Sequence, residues 1–298
     1  MKKILVIGLC GESVFLKTDH FNEEDETVIA TSKYTEPGGK GFNQCVAVKR
    51  LSNHEVHFLT KVGNDNYKNV CKKFLLKEHI KPHFIVNKKV PTAYASIITN
   101  KEGTSRITVY PGASSTLNIE DIKKYEKLIS KMDLVLIQLE LGIEIVDYIL
   151  DLCNKNNVKV VLNPAPVNEK IDFNILSKAD VLTPNTQEAK IIFKFNDYSN
   201  IEEIIKLVRN KTNKLVIITL GSLGALVINN QFAELVETKK NTPLDTTGAG
   251  DVFNGAFVSK YVLNEDLKQS VIFANKAAGY SVTKKYVMPS IPRLVDIE

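Results

Sequence analysis

The sequence predicts an α/β fold of three layers: helices on both faces of a mostly parallel central sheet, which carries a small β-sheet lid. Three observations lead there. From about residue 118, β-branched apolar runs alternate with amphipathic helical stretches, the pattern of a parallel sheet covered on both faces. Two β-rich runs earlier in the chain interrupt that rhythm. Two glycine loops each run straight into a helix, which is how such sheets build ligand sites at their edges.

Residues 3–9 read as a buried strand, a short apolar run ended by glycines. After the acidic Glu23-Glu24-Asp25-Glu26, residues 27–35 read as an exposed strand rich in Thr, Val, Ile and Tyr. The loop Pro37-Gly38-Gly39-Lys40-Gly41 leads into a helix through Ala47 and Leu51. Residues 56–61 read as a strand, and 66–79 as a helix with Val70, Phe74 and Leu75 at apolar spacing. Strands over 92–99 and 105–109 flank Asn100-Lys101-Glu102-Gly103, which is hairpin chemistry. A helix at 118–131, strand at 133–139, helix at 142–155 and strand at 157–162 follow, then the turn Asn163-Pro164-Ala165-Pro166. A helix near 172–177, a strand at 180–183 and helices near 186–194 and 200–211 come next. Strands at 214–220, 224–229 and 232–237 and helices at 249–262 and 266–284 complete the chain. No repeat, low-complexity tract or Pro/Ser-rich linker divides it. One domain over 1–298 is expected, its lid formed by insertions at about 12–38 and 90–112.

The chain's 298 residues are 44% hydrophobic, with 39 basic against 34 acidic side chains, a net +5. That composition excludes disorder and leaves ample chain for a core. The lysines are scattered with no basic block, so no nucleic-acid partner is expected; a small anionic ligand suits the balance. Cys10, Cys45, Cys71 and Cys153 form no CxxC pair and no zinc pattern, and read as reduced thiols of a cytoplasmic protein. The start resembles a short signal peptide or lipoprotein anchor, but its apolar stretch spans only Ile4 to Cys10. Leu9 stands where cleavage needs a small side chain. No run of 18 apolar residues exists, so no membrane span is expected.

Four motifs carry chemistry. Asp245-Thr246-Thr247-Gly248-Ala249-Gly250-Asp251 runs into the apolar helix Val252–Leu263. Small residues there leave backbone N–H groups free at a helix N-terminus, an anion site. An Asp at that mouth would repel an anion, unless Asp251 takes a proton from a hydroxyl while the amides of Gly248 to Gly250 hold the transferred group. Plain N-capping is the alternative. In Gly38-Gly39-Lys40-Gly41-Phe42-Asn43-Gln44, glycines let backbone approach a ligand, and Lys40 and Asn43 add donors; a flexible turn is the alternative. In Thr183-Pro184-Asn185-Thr186-Gln187-Glu188, at a strand's end, Asn185 and Glu188 share a helical face. They suit a hydrated Mg²⁺ beside phosphates, or a capping arrangement. Thr219-Leu220-Gly221-Ser222-Leu223-Gly224 ends another strand with close-approach glycines, or is a plain turn.

Taken in chain order, the Gly38–Gln44 loop first and Asp245–Asp251 last, these motifs resemble the signatures of the ribokinase-like (PfkB-type) carbohydrate kinase family, over Ile4 to about Pro292. The resemblance implies a ribokinase-like fold and transfer of the γ-phosphoryl group of ATP to a primary hydroxyl of a sugar or nucleoside, ribose or a related pentose first. It implies Asp251 as general base and the amides of Gly248, Ala249 and Gly250 as anion hole. Gly39, Lys40, Asn43 and Glu140 match the sugar-gripping positions; apart from the resemblance, Glu140 reads as a cap of the helix that follows it. Asn185, Thr219, Gly221, Ser222, Gly224, Gly250 and Asn275 match the nucleotide cleft, and Glu188 the Mg²⁺ helper. Asp245, Thr247, Ser281, Lys284, Tyr286 and Ser290 match a monovalent-cation (K⁺) site, several through backbone carbonyls, with Tyr286 where Gly is usual. Family members acting on ribose carry Asn and Asp two residues apart after the first strand. Here those positions are Gly11 and Ser13, so a nucleoside, fructose or keto-deoxy sugar acid remains an alternative substrate. Matching Gly11-Glu12 to the Gly-Glu of fructokinase-like members leaves Leu16 where an Asp would follow. A homodimer through the β lids is also implied. A non-catalytic ligand sensor would not need Asp251. A dinucleotide-dependent oxidoreductase fails because Gly8-Leu9-Cys10-Gly11 lacks GxGxxG spacing.

Overall fold

The computed structural model describes residues 1–167, 171–264 and 266–297. Strand β1 (Lys3–Ile7) is buried at every position after its first, because it sits inside the large sheet with neighbours on both edges. The chain then enters the lid with β2 (Gly11–Lys17) and β3 (Ser32–Gly38) and returns through helix α1 (Lys40–Arg50), β4 (Glu55–Gly63), α2 (Asn66–Lys77) and β5 (Lys81–Asn87). The hairpin β6 (Ala93–Thr99) and β7 (Ser105–Tyr110) completes the lid. There follow α3 (Ile119–Lys123), α4 (Glu126–Ile129), β8 (Leu134–Gln138), α5 (Ile143–Lys155), β9 (Lys159–Asn163), α6 (Phe173–Leu176) and β10 (Val181–Leu182). Helices α7 (Thr186–Phe193) and α8 (Ile201–Lys211) precede β11 (Leu215–Thr219), β12 (Ala225–Ile228) and β13 (Ala233–Val236). Helices α9 (Ala249–Tyr261), α10 (Leu267–Ser281) and α11 (Leu294–Ile297) close the chain.

The large sheet has the order β13-β12-β11-β10-β9-β8-β1-β4-β5. It is parallel from β5 to β11 and turns antiparallel only at the β12 and β13 edge. Period-2 alternation divides β1 between the two faces. Ile4 and Val6 pack with Phe42, Val46, Val252 and Phe257 under α1 and α9, while Leu5 and Ile7 pack with Ile122, Val146, Ile149 and Ala189. Full burial of each such Ile or Leu contributes about 2 kcal/mol over leaving it exposed. The predicted three layers are present, and the lid is a separate sheet of order β3-β2-β6-β7. Among the described residues no helix is long and apolar enough to cross a membrane.

The structure differs from expectation at several elements, each for a local reason. The strand expected at 27–35 lies at Ser32–Gly38, because pairing with β2 sets its register from Gly11↔Gly38 to Lys17↔Ser32. The sequence reading has no strand at β2 or β5. Both β3 and β5 contain a proline, and both are edge strands, where the missing N–H costs no ladder bond. The helix expected over 118–131 is two short ones, separated where Tyr125 leaves helical geometry (φ −112°, ψ 6°) and sets its ring edge-on to His83. The helix expected at 66–79 ends at Lys77, with His79 at a positive φ, and the last long one ends at Ser281.

Candidate active site

The glycine loops meet because α1 and α9 cross closely. Gly255 lies against α1: a Cβ there would stand 2.4 Å from the Ala47 Cβ and 2.8 Å from the Gln44 carbonyl oxygen. That approach carries Asn43 and Gln44, on α1, to Asp251 in the first turn of α9. The Asn43 Nδ2 donates to Asp251 Oδ2 at 2.8 Å and the Gln44 Nε2 to Asp251 Oδ1 at 2.9 Å. Asp251 is not a cap. The helix begins at Gly248, in left-handed geometry (φ 79°), with no side-chain cap bond.

Behind this carboxylate runs a buried chain of amides whose polarity has one solution. The Thr183 carbonyl can only accept, so Asn163 turns its Nδ2 to it (2.9 Å) and its Oδ1 to Gln44 Nε2 (3.1 Å). Gln44 therefore presents its NH₂ to Asp251, and its Oε1 accepts from Gln138 Nε2 at 2.6 Å. On the opposite side Thr183 Oγ1 donates to Asn254 Oδ1, and Asn254 Nδ2 to the Gly250 carbonyl at 2.8 Å. Gln44, Gln138, Asn163, Thr183 and Asn254 had no assigned role in the sequence. Gln44, Asn163 and Thr183 stand inside quoted motifs and Gln138 in the strand expected at 133–139, and only their amide and hydroxyl chemistry beside a glycine loop could have marked them.

A cavity of about 170 Å³ opens on this carboxylate, lined by Lys40, Asn163, Ala165, Thr183, Asn185, Glu188, Thr219, Gly248, Gly250, Asp251 and Asn254. Burial pushes Asp251 above the usual carboxylate range, opposed by the Lys40 ammonium and by the amides of Asn43 and Gln44. Lys40 is pushed up in turn, chiefly by Asp251, against its own desolvation. Glu140, in the short turn after β8, accepts the Lys40 backbone N–H at 3.1 Å. It thus serves the N-terminus of α1 and not the helix that follows it. Burial raises it to about 7, opposed by Lys40. Asn43 Oδ1 is buried without a hydrogen-bond partner among the described residues.

Glu188 and Asn185 form the capping arrangement weighed for them: Glu188 accepts the Asn185 backbone N–H at 2.8 Å and its Nδ2 at 2.9 Å. They still line the cavity, and burial raises Glu188, opposed by Lys40 and by the Asn185 amide. No cluster of three or more His, Cys, Asp or Glu converges among the described residues. A Mg²⁺ ion would therefore rest mainly on nucleotide phosphates and water, with Glu188 as its protein carboxylate, a donor set Mg²⁺ accepts.

The remaining expected positions divide. Gly248 and Gly250 face the cavity, but the Ala249 N–H turns to the Thr246 carbonyl at 3.3 Å. Thr219 lines the cavity, whereas Gly221, Ser222 and Gly224 form the turn beyond it. Asn275 is outside the lining, with its Nδ2 donating to the Val236 carbonyl at 2.8 Å. Gly11 and Ser13 sit at the root of the lid. Gly11 packs on Ala93, and a Cβ on Gly38 would stand 2.1 Å from Ser13 Oγ. In the cation set, Asp245 joins the Thr247 and Tyr286 N–H groups at 2.9 and 3.0 Å. The Ser281 and Ser290 hydroxyls donate to the Ala278 and Val287 carbonyls, and the Lys284 ammonium lies over the Tyr280 ring. With these side chains engaged within the protein, a cation there would depend on backbone carbonyls.

A larger groove of about 730 Å³ lies elsewhere, beside Lys61, Lys88, Lys124 and Asp121. The carboxylate in its lining, Asp121, is already paired by Lys61 and Lys124.

Known relatives match over nearly the whole chain. The profile of the pfkB family carbohydrate kinases matches residues 1–294. The chain is 32% identical to the ribokinase of Bacillus subtilis, over all of this chain and 99% of that one. It is 31% identical to the deoxyribokinase of Salmonella typhi, over 98% of this chain and 96% of that one. The crystal structure of ribokinase from Thermotoga maritima superposes with a TM-score of 0.90 at 33% identity, covering 100% of this chain and 98% of that one.

Proposed function

The chain belongs to the pfkB family of carbohydrate kinases, and on that premise we propose that it moves the γ-phosphoryl group of ATP onto a primary hydroxyl of a small sugar, ribose or a related pentose first. The observation that carries this reading is Asp251: a buried carboxylate held by two amides, lining one cavity with Lys40 and the glycine amides that open α9.

In this reading Asp251 takes the proton of the attacking hydroxyl as the oxygen–phosphorus bond forms and the bond to ADP breaks. The N–H groups of Gly248 and Gly250 and the Lys40 ammonium hold the migrating charge. Phosphoryl transfer needs this positioning and electrostatic support more than covalent help from the protein. The raised pKa of Asp251 makes it a better base than a solvated carboxylate, while Lys40, Asn43 and Gln44 oppose that rise by favouring its ionised form. The unpartnered Asn43 Oδ1 is an acceptor for a second sugar hydroxyl, and Glu140 holds the Lys40 end of the same site. Asn185 and Thr219 flank the nucleotide side, with Gly221 to Gly224 beyond. A bound Mg²⁺ would neutralise phosphate charge, with Glu188 holding it through water. A K⁺ ion would draw on the carbonyls around Asp245, Thr247 and Tyr286.

A coupled ADP-release assay tests the reading on ribose, deoxyribose, fructose, a keto-deoxy sugar acid and nucleosides. Turnover is expected with a pentose. A preference for a nucleoside or for fructose would replace the substrate, and no turnover with any of them would favour a sensor. The proposal places the protein in the cytoplasm and extends to a homodimer through the lid. The outer strand β7 is exposed along its whole length, with Ile107 56% and Val109 51% accessible. Sedimentation of monomer alone at micromolar protein would remove the dimer.

A further inference from the structure

Glu36 is a carboxylate on lid strand β3, 4% exposed. Its two oxygens accept the successive backbone N–H groups of Val287, at 2.8 Å, and Met288, at 3.0 Å. The partner segment lies 251 positions away, beyond α10. The same lid strand grips it again: Tyr34 stacks on Tyr286 with centroids 3.9 Å apart, and Phe15 from β2 meets that ring edge-on at 5.2 Å. Tyr286 itself holds a left-handed φ of 63°, costly for a bulky side chain. The stacking offsets that cost.

The other side of this segment faces the glycine turn. A Cβ on Gly248 would stand 2.7 Å from Val287 Cγ1, so Val287 backs that glycine directly. Asp245 ties the turn to the segment a second time, through the N–H groups of Thr247 and Tyr286. Arg50 of α1 holds the far end by donating to the carbonyls of Met288 (2.6 Å) and Ile291 (3.0 Å).

We infer that Glu36 is a positioning residue for the phosphoryl site: by clamping 286–288 it seats Val287 behind Gly248 and fixes where the amides of Gly248 and Gly250 point. Lid and anion site then form one mechanical unit. The inference rests on the kinase reading above for its effect on turnover, but not for the mechanical link itself.

Two variants test it, Glu36→Ala, which removes both acceptors, and Glu36→Gln, which keeps one. Hydrogen exchange by mass spectrometry and steady-state kinetics on the sugar turned over best supply the readouts. Exchange over 245–251 should quicken at least about fivefold in the Ala variant and less in the Gln variant, with β6 and β7 unchanged. The kcat should fall about tenfold in the Ala variant, with partial rescue by Gln and a sugar KM within about twofold of the parent. Faster exchange confined to 286–288, with 245–251 and kcat unchanged, would overturn the inference and leave Glu36 a loop anchor. If the Ala variant does not fold, the Gln variant decides. If the parent turns over no sugar, the kinase reading fails, while exchange over 245–251 still decides the link.

Discussion

Replacing Gln44 by Met separates what holds Asp251 from what merely packs beside it. Gln44 is fully buried and its amide makes three hydrogen bonds: to Asp251, to Asn163 and from Gln138. Methionine fills similar space with no donor. Two buried groups, Gln138 Nε2 and Asn163 Oδ1, then lose their partners at about 1–3 kcal/mol each, so the urea-derived stability should fall by about 2–6 kcal/mol. Asp251 loses a hydrogen bond to its ionised form, about 1.5–3 kcal/mol, which raises its pKa by about 1–2 units. Lys40 and Asn43 still favour the ionised carboxylate, while the neighbouring Glu140 and Glu188 disfavour it, so the shift is upward and is bounded by Lys40 and Asn43. A base must be deprotonated to work, so the acidic limb of kcat/KM should move up by about 1–2 pH units, with the high-pH plateau within about tenfold of the parent. An ADP-release pH series on parent and variant reads this. A variant that loses stability while its acidic limb stays in place would refute the reasoning and reduce Gln44 to scaffold.

Two further outcomes follow from the same geometry. Gly255→Ala places a methyl 2.4 Å from the Ala47 Cβ, which must force α1 and α9 apart; a loss of about 2–3 kcal/mol in urea melts and a fall in kcat are expected, and wild-type values for both would contradict the crossing argument. Glu140 is raised from 4.5 to about 7, so the folded state holds its proton more tightly, and stability present below pH 4.5 is lost as pH rises through 7. Glu140→Gln should remove that loss, gaining on the parent by about 2–3 kcal/mol between pH 5 and pH 8 in ligand-free melts. A parent-to-variant difference that does not change with pH would show Glu140 to be ordinarily acidic.

What could be read in the sequence divides by chemistry. The Asp251 loop and the Gly38–Gln44 loop are legible because glycine before an apolar helix serves few ends, and α9 does start at that glycine in left-handed geometry. The parallel core is legible because strands such as β8 and β9 carry continuous apolar runs, Leu134–Ile137 and Val160–Leu162. Strands β2 and β5 are not, since Gly11-Glu12-Ser13 and Lys81-Pro82-His83 carry turn or breaker residues, and only their sheet neighbours make them strands. The amide chain from Gln138 to Thr183 is invisible for a related reason. Its members come from α1, β8, β9 and the segment after β10, and an amide's hydrogen-bond direction has no spacing pattern. The Glu36 clamp spans 251 positions and leaves no local mark at either end.

Asp251→Asn measures the central claim most directly. Asparagine keeps the size and can keep one bond to the Asn43 and Gln44 amides, but it cannot take a proton. Single-turnover phosphotransfer should fall about 10²-fold or more, while ATP affinity by calorimetry stays within about threefold of the parent. An Asp251→Asn variant that retains most of its phosphotransfer rate would contradict the account, because no buried base would then be needed where the two helices meet.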